Sequence, residues 1–232
     1  MSLSKNNINV LLKTIIVFIV YLFYTKFISA FFNMIGLTDS IMQMFIADLL
    51  FLIGIVLVYK DSIKQGFLDF KNNYKTSKKI TVVLKWTVII FVVNMLMGML
   101  TELFFPNAVA GGDDNANAIY SLFDISSIYT IFKTMIFAVI AEELVFKKTI
   151  RDVFKNNILF VIISGLIYVM MNFAYTDLTQ SYIWMDMLGY FMFAVITSIA
   201  YIKNNDNIFI VMMIKFLYNL LPLTIMILGI GA

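Results

Sequence analysis

The sequence contains no cysteine and no histidine, and it has few charged residues. Only 13% of its 232 residues are charged, whereas 62% are hydrophobic. The absence of cysteine excludes disulfides and thiolate chemistry, and the absence of histidine removes the imidazole metal ligand and the usual general base. Any catalysis would therefore depend on carboxylates, amides, hydroxyls or lysine, and neither a cofactor nor a metal site is predicted. The net charge of +3 is small, so nucleic-acid binding is not predicted either.

Long apolar runs fill most of the chain. A soluble domain is typically about a quarter charged and at most half apolar, so lipid is expected to be the solvent for much of this surface. A helix needs about 20 residues to cross a bilayer. The sequence therefore predicts an all-α integral membrane protein with about seven transmembrane helices. The predicted spans are 8–35, 41–59, 80–104, 125–146, 158–175, 183–202 and 208–230.

The chain is predicted to form one integrated membrane domain, because neither an internal repeat nor a low-complexity linker divides it. Residues 1–122 would supply N-terminal transmembrane helices and a cytoplasmic loop, and residues 123–232 the core helices.

Positive charge falls on alternate loops. Short cytoplasmic loops are enriched in Lys and Arg. In a seven-span arrangement twelve loop cations share one side, and the opposite loops hold only acidic charges. This predicts a multi-pass protein of the cell membrane with a cytoplasmic N-terminus and an extracellular C-terminus. The twelve are Lys5, Lys60, Lys64, Lys71, Lys75, Lys78, Lys79, Lys147, Lys148, Arg151, Lys155 and Lys203.

The connection between the second and third predicted spans has helical periodicity. Ile63, Phe67, Phe70 and Tyr74 recur at helical spacing among lysines. Two interpretations remain open: a short amphipathic helix on the anionic cytoplasmic leaflet, or an ordinary positively charged loop. The outer loop 105–121 contains a proline and a glycine pair and is predicted to be flexible and solvent-exposed.

Ionisable side chains within the predicted spans are costly to bury. Lys26 and Asp48 lie at similar depths in the first two spans, which predicts a structural ion pair. The strongest signal is the adjacent pair Glu142 and Glu143, near the cytoplasmic end of an apolar helix. Glu143 is expected to pair with Lys147 four residues later, which leaves Glu142 as the candidate functional group. The alternative is a pair of glutamates that only reach the membrane surface.

The last predicted span carries Lys215 and Asn219 on one helix face, followed by a proline. A buried lysine should pair with a carboxylate, so Lys215 is expected within ion-pair distance of Glu142 or Glu143. Asn172, in the fifth predicted span, is expected to face the same cavity.

These residues resemble the motifs of the CAAX-protease and bacteriocin-processing family, also called the Abi family. Its pattern is Glu-Glu-x-x-x-Arg on one helix, Phe-x-x-x-His on the next and His-x-x-x-Asn on the last. The order and spacing agree over residues 123–230, but both motif histidines are replaced. Here the motifs correspond to Glu142-Glu143-x-x-x-Lys147, Tyr168-x-x-x-Asn172 and Lys215-x-x-x-Asn219.

The resemblance implies an Abi-type core in the last four helices, with a conical cavity open toward lipid and cytoplasm. It also implies a set of catalytic positions: Glu142 and Glu143 as catalytic-type glutamates with Glu142 as the base, Asn172 in place of its histidine partner, and Lys215 with Asn219 as oxyanion donors. An asparagine amide cannot exchange a proton near neutral pH. A salt bridge to Lys215 would hold Glu142 ionised and block the water site.

Three functional hypotheses follow. The leading one is a catalytically impaired or inactive family member, a pseudoprotease that acts as a membrane scaffold or regulator of a partner protein such as a membrane-anchored cell-wall enzyme. The second is an active intramembrane endopeptidase that processes prenylated or leader-bearing peptides. The third is a small-solute transporter subunit, for which the broken-helix repeats are missing. Frequent Asn, Ile and Lys indicate a bacterial source.

Overall fold

A computed structural model describes residues 5–73, 76–106, 114–174 and 182–228. Regular secondary structure in these ranges is helical throughout, without strands, and confirms the predicted all-α class. The helices are α1 (Lys5–Met34), α2 (Ser40–Asn73), α3 (Thr76–Phe104), α4 (Asp114–Ile125), α5 (Ser127–Phe132), α6 (Ile150–Val153), α7 (Asn157–Asn172), α8 (Ile183–Lys203) and α9 (Ile208–Ile227), with two π-helical segments, π1 (Lys133–Glu142) and π2 (Leu144–Thr149), between α5 and α6.

Five helices in the described ranges are long and apolar enough to cross a membrane. They are α1, α2, α3, α8 and α9, and they coincide with the predicted spans one, two, three, six and seven. The predicted fifth span is α7, an apolar helix of 16 residues. The predicted fourth span is a continuous helical run, from α5 to α6, whose hydrogen-bonding pattern changes along its length. The chain is thus a multi-pass membrane protein, and the count of seven crossings stays a prediction.

The connection after the second predicted span is helical, because α2 continues to Asn73 beyond a bend at Tyr59. Tyr59 has non-helical backbone angles (φ −116°, ψ 17°). Its ring lies under the Lys13 ammonium at 3.8 Å, and its hydroxyl lies 2.8 Å from Thr149 Oγ1. These contacts hold the bend, and so set the direction of the α2 segment that follows Tyr59.

The extension of α2 packs on the start of α9. The rings of Phe67 and Phe70 lie 5.3 and 5.4 Å from the ring of Phe209. The Asn207 side chain donates a hydrogen bond from Nδ2 to the carbonyl oxygen of Gly66 at 3.0 Å. The helical interpretation of this segment is therefore confirmed, and its position on the lipid leaflet stays a prediction.

The run from α5 to α6 contains wide helical turns. In π1 and π2 the backbone follows the i→i+5 pattern, which is rare and occurs mostly as single turns, frequently at functional sites. The hydroxyl of Thr149 spans the same interval, since it donates to the carbonyl oxygen of Leu144 at 3.0 Å. Both glutamates of the first motif lie in this run.

The most buried side chains surround π1 and π2. Phe137, Leu144, Val145 and Ile214 are completely buried in one apolar cluster with the middle of α8. By contrast α1 exposes apolar side chains along its length, including Phe27, which is 72% exposed. Such a surface is typical of a lipid-facing helix.

Candidate functional site

Lys215 lies between the two glutamates of the first motif. Its Nζ is 2.8 Å from Glu142 Oε2 and 3.1 Å from Glu143 Oε1. The Lys215 side chain is 4% exposed, because α9 packs against π1 and brings this face of the helix inward. The predicted pairing of Lys215 with one of the two glutamates is therefore present, and it includes both of them.

Two aromatic rings complete the surroundings of the Lys215 ammonium. Its Nζ lies 5.5 Å from the ring centroid of Tyr168 and 5.7 Å from that of Phe193. Both distances are within the range of cation–π attraction. No sequence pattern pointed to Phe193, since an aromatic residue on an apolar helix carries no sign of which cation it will meet.

The two glutamates differ in their exposure. The Glu143 side chain is 2% exposed, and its Oε2 is buried without a hydrogen-bond partner among the described residues. The Glu142 side chain is 16% exposed. Glu142 is thus the carboxylate that a molecule from outside could reach, and Glu143 holds Lys215 from the buried side.

Lys147 does not pair with Glu143, so the predicted i,i+4 ion pair is wrong. Lys147 Nζ donates instead to Ser164 Oγ at 3.1 Å and to the carbonyl oxygen of Ala194 at 3.2 Å. The i,i+4 rule holds for an α-helix. Here the neighbouring helices supply the acceptors that Lys147 takes, so tertiary packing overrides the spacing along the helix.

The two asparagines of the motifs lie in different surroundings. Asn219 donates from Nδ2 to the carbonyl oxygen of Thr134 at 2.7 Å, so it contacts π1 two turns away from Glu142. Asn172 is exposed at the end of α7, and its Nδ2 donates to the carbonyl oxygen of Tyr168 at 2.8 Å. In the second motif it is therefore the ring of Tyr168, and not the Asn172 amide, that contacts Lys215.

A protein-family model matches this region. The model for type II CAAX prenyl endopeptidase Rce1-like proteins matches residues 124–221. This segment belongs to the Rce1-like family. The matched residues include all three motifs, and they fall within the predicted core segment 123–232. No curated protein and no solved structure matched the chain.

Within the Rce1-like segment, the Lys215 ammonium group bridges the carboxylates of Glu142 and Glu143. An ammonium group between two carboxylates supplies three donors and no acceptor. No group of three or more acidic residues in the described ranges could hold a metal ion. The cytoplasm-facing cavity that the resemblance implies stays a prediction.

A second ionic cluster lies partly outside the Rce1-like segment, and it corrects the predicted Lys26–Asp48 pair. The partner of Asp48 is Lys133, whose Nζ lies 2.9 Å from Asp48 Oδ2. Tyr129 donates to the same oxygen at 2.8 Å, and Tyr24 donates to Oδ1. Depth alone suggested Lys26, but the packing of α2 on π1 brings Lys133 closer. The signal for Lys133 was its presence in an apolar run.

Proposed function

We propose that this Rce1-like chain is a catalytically impaired or inactive member of its family that acts as a membrane scaffold or regulator. The observation that carries the proposal is the contact of Lys215 with both glutamates, at 2.8 and 3.1 Å, in a chain without histidine. At the position of the histidine in the third family motif, this chain has Lys215, whose ammonium group contacts both glutamates.

The argument starts from what a general base must do. Glu142 would have to bind a water molecule and accept its proton, so one of its oxygens must be available to that water. Lys215 occupies Oε2, which leaves only Oε1 of Glu142 to bind that water. Loss of a general acid–base typically lowers a rate by about 10²–10⁴.

The second motif offers no substitute for the missing base. Asn172 is exposed and bonds to its own helix, and an amide has no proton to exchange near neutral pH. Asn219 already donates to the backbone of π1. Neither asparagine supports a hydrolytic cycle as it stands.

A scaffold role fits a site in which Lys215, Asn172 and Asn219 all bond to other groups of the protein. The partner we propose is a membrane-anchored protein, such as a cell-wall enzyme, held in the cell membrane by contacts with the span surfaces. The N-terminus of the chain would be cytoplasmic and its C-terminus extracellular. Co-purification from native membranes in stoichiometric amount, retained by Glu142→Gln, would support this role because that carboxylate would have no part in holding a partner.

The decisive test is a cleavage assay with the purified full chain. Reporter peptides with a prenylated C-terminus or a leader sequence are incubated with the unmodified protein and with Glu142→Gln, and the products are measured by mass spectrometry. We expect both proteins to give only the background of empty micelles. Cleavage by the unmodified protein that disappears in a folded Glu142→Gln variant would refute the proposal.

The second candidate is an active endopeptidase, and the family match favours it. Glu142 is the more exposed of the two carboxylates, and a substrate that displaced Lys215 could free its oxygen. In that case the unmodified protein should cleave the reporter peptides, and cleavage should be lost in Glu142→Gln. Cleavage at background level in the unmodified protein favours the scaffold.

A further inference from the structure

A polar pocket of about 190 Å³ lies apart from the candidate site, at the end of the bundle that carries most lysines. Its walls come from the extension of α2, the end of π2, the end of α8 and the turn before α9. At ~30 Å³ for each water molecule, its volume fits a group of a few heavy atoms. Neither the family match nor the proposed function assigns it a role.

The walls of the pocket are held by hydrogen bonds between distant parts of the chain. Asn207 accepts through Oδ1 from the backbone N–H groups of Phe209 and Ile210, at 3.0 and 3.2 Å, and caps α9. Its Nδ2 donates to the carbonyl oxygen of Gly66. A Cβ atom at Gly66 would lie 3.1 Å from Asn207 Oδ1, so the absence of a side chain allows this close approach. The pocket is therefore a preformed feature of the fold.

One carboxylate that lines the pocket has no cation bound to it among the described residues. Lys148 is bound by Asp152, with Nζ 2.5 Å from Oδ1, and Arg151 is bound to Asp206, with Nε 2.9 Å from Oδ2. Asp69 lines the pocket and forms no ion pair within the described part of the chain. Asp69 is therefore a pocket carboxylate without a bound cation in the described ranges, and a cationic ligand would pair with it.

Tyr201 supplies an independent sign of a ligand. It lines the pocket, and the residue as a whole is only 1% exposed. Its hydroxyl forms no hydrogen bond with a described residue and is not a fully buried atom, so it is accessible from the pocket. A hydroxyl can accept a hydrogen bond through its oxygen.

We infer that this pocket binds a primary ammonium group. Such a group has a positive charge and three N–H donors, and the pocket offers matching acceptors. The Asp69 carboxylate would take the charge, and Tyr201 Oη and the second lone pairs of Asp206 would accept the remaining hydrogen bonds. The amine can come from the headgroup of an aminophospholipid or from a small soluble molecule.

The first test uses ethanolamine as the probe and the purified full chain in micelles. Calorimetric titration should show saturable binding at constant ionic strength. Asp69→Asn should weaken it by roughly tenfold or more, because a hydrogen bond to a charged group contributes about 1.5–3 kcal/mol. Tyr201→Phe should weaken it by several fold. Choline, which has no N–H donor, should not compete.

Asp61→Asn is the matched control, because Asp61 is an exposed aspartate of the same helix that does not line the pocket. It should bind ethanolamine as the unmodified protein does. Equal weakening in Asp61→Asn and Asp69→Asn would show a general charge effect and overturn the inference. So would competition by sodium or potassium ions as strong as that by ethanolamine, or no saturable binding at all.

A second arm separates the two sources of the amine. The protein is placed in nanodiscs of phosphatidylcholine with or without phosphatidylethanolamine, and its thermal unfolding is followed. A rise in Tm with phosphatidylethanolamine that is lost in Asp69→Asn identifies the lipid headgroup. A rise with soluble ethanolamine alone, lost in the same variant, identifies a soluble amine. A rise that persists in Asp69→Asn places the amine elsewhere and contradicts the inference.

Discussion

At the scale of single residues, the buried charged side chains of the bundle lie in contact with oppositely charged or hydrogen-bonding side chains. Lys215 serves two carboxylates, and Asp48 is bound by a lysine and two tyrosines. A buried charge is tolerated when opposite charges and hydrogen bonds surround it, and it is strongly destabilising when a partner is removed. The three charges of Lys215, Glu142 and Glu143 sum to one negative charge. The consequences of removing each one therefore differ.

Lys215→Met is expected to destabilise the protein more than Glu142→Gln. The first change leaves two adjacent carboxylates without their cation, at a cost of about 3–5 kcal/mol. The second leaves Lys215 paired with Glu143, so its cost should be clearly smaller. The free energy of unfolding, measured by denaturant titration of the purified protein in mixed micelles, distinguishes the two.

Lys85→Met provides the control for that comparison, because Lys85 is an exposed lysine near the start of α3. Its effect should stay within about 0.5 kcal/mol. The double variant with Glu142→Gln and Lys215→Met should recover part of the loss of Lys215→Met, since one carboxylate fewer is stranded. A loss for Lys215→Met no larger than that for Lys85→Met would show that the buried pair adds no stability.

At the scale of elements, the packing of neighbouring helices determines which side chains meet. Lys147 binds Ser164 on α7 and Ala194 on α8 instead of Glu143 on its own helical run. The hydroxyl of Ser164 in turn donates to the carbonyl oxygen of Phe146 at 2.6 Å. These bonds join α7 and α8 to the end of the run that carries the glutamates. Close packing of α7 on α8 is thus a condition for the geometry of the site.

Gly165→Ala should loosen that packing. A Cβ atom at Gly165 would lie 2.6 and 2.8 Å from Cε2 and Cδ2 of Phe191, closer than atoms can approach. Displacing the ring of Phe191 should cost about 1–3 kcal/mol, as overpacking usually does. Thermal unfolding in micelles would register it as a lower Tm.

Gly189→Ala is the matched substitution, since Gly189 lies in α8 and a Cβ atom there would meet nothing within 4 Å. This change should leave stability unaltered or raise it by up to about 1 kcal/mol, through the higher helix propensity of alanine. Equal Tm values for the two variants would mean that α7 and α8 are not closely packed at Gly165.

At the scale of the whole molecule, the contact between Gly66 and Asn207 joins the lysine-rich extension of α2 to the short connection after Lys203. The sequence pattern assigns both to the cytoplasmic side, and the 3.0 Å hydrogen bond between them requires that they lie on one side. Of the outer loop predicted at 105–121, residues 107–113 lie outside the described residues, and residues 114–121 belong to helix α4, so the prediction of a flexible loop is wrong for that part.

Reporter fusions should therefore give one compartment for Asn73 and Asn205 and the opposite one for Gly112. The expected reason is that α3 crosses the membrane between Asn73 and Gly112, whereas the connections at Asn73 and Asn205 both follow an inward-directed span. Paired alkaline phosphatase and fluorescent-protein fusions measure this directly. The same compartment for Asn73 and Gly112 would refute the seven-span topology.

The helical class, the positions of the apolar helices and the pairing of Lys215 with the glutamates could be predicted from the sequence. These features follow from local rules: an apolar run of sufficient length forms a helix in lipid, and a lysine within one needs a carboxylate. The family motifs at Glu142, Tyr168 and Lys215 depend only on the order and spacing of residues, and the family match covers the same segment.

The tertiary structure alone decided which partner each charge takes. Lys133 rather than Lys26 binds Asp48, and Lys147 turns to α7 and α8 rather than to Glu143. Depth and helical spacing leave several partners within reach, and the choice among them depends on how the helices pack against one another. The pocket beside Asp69 is decided in the same way, because its walls come from segments that no local pattern brings together.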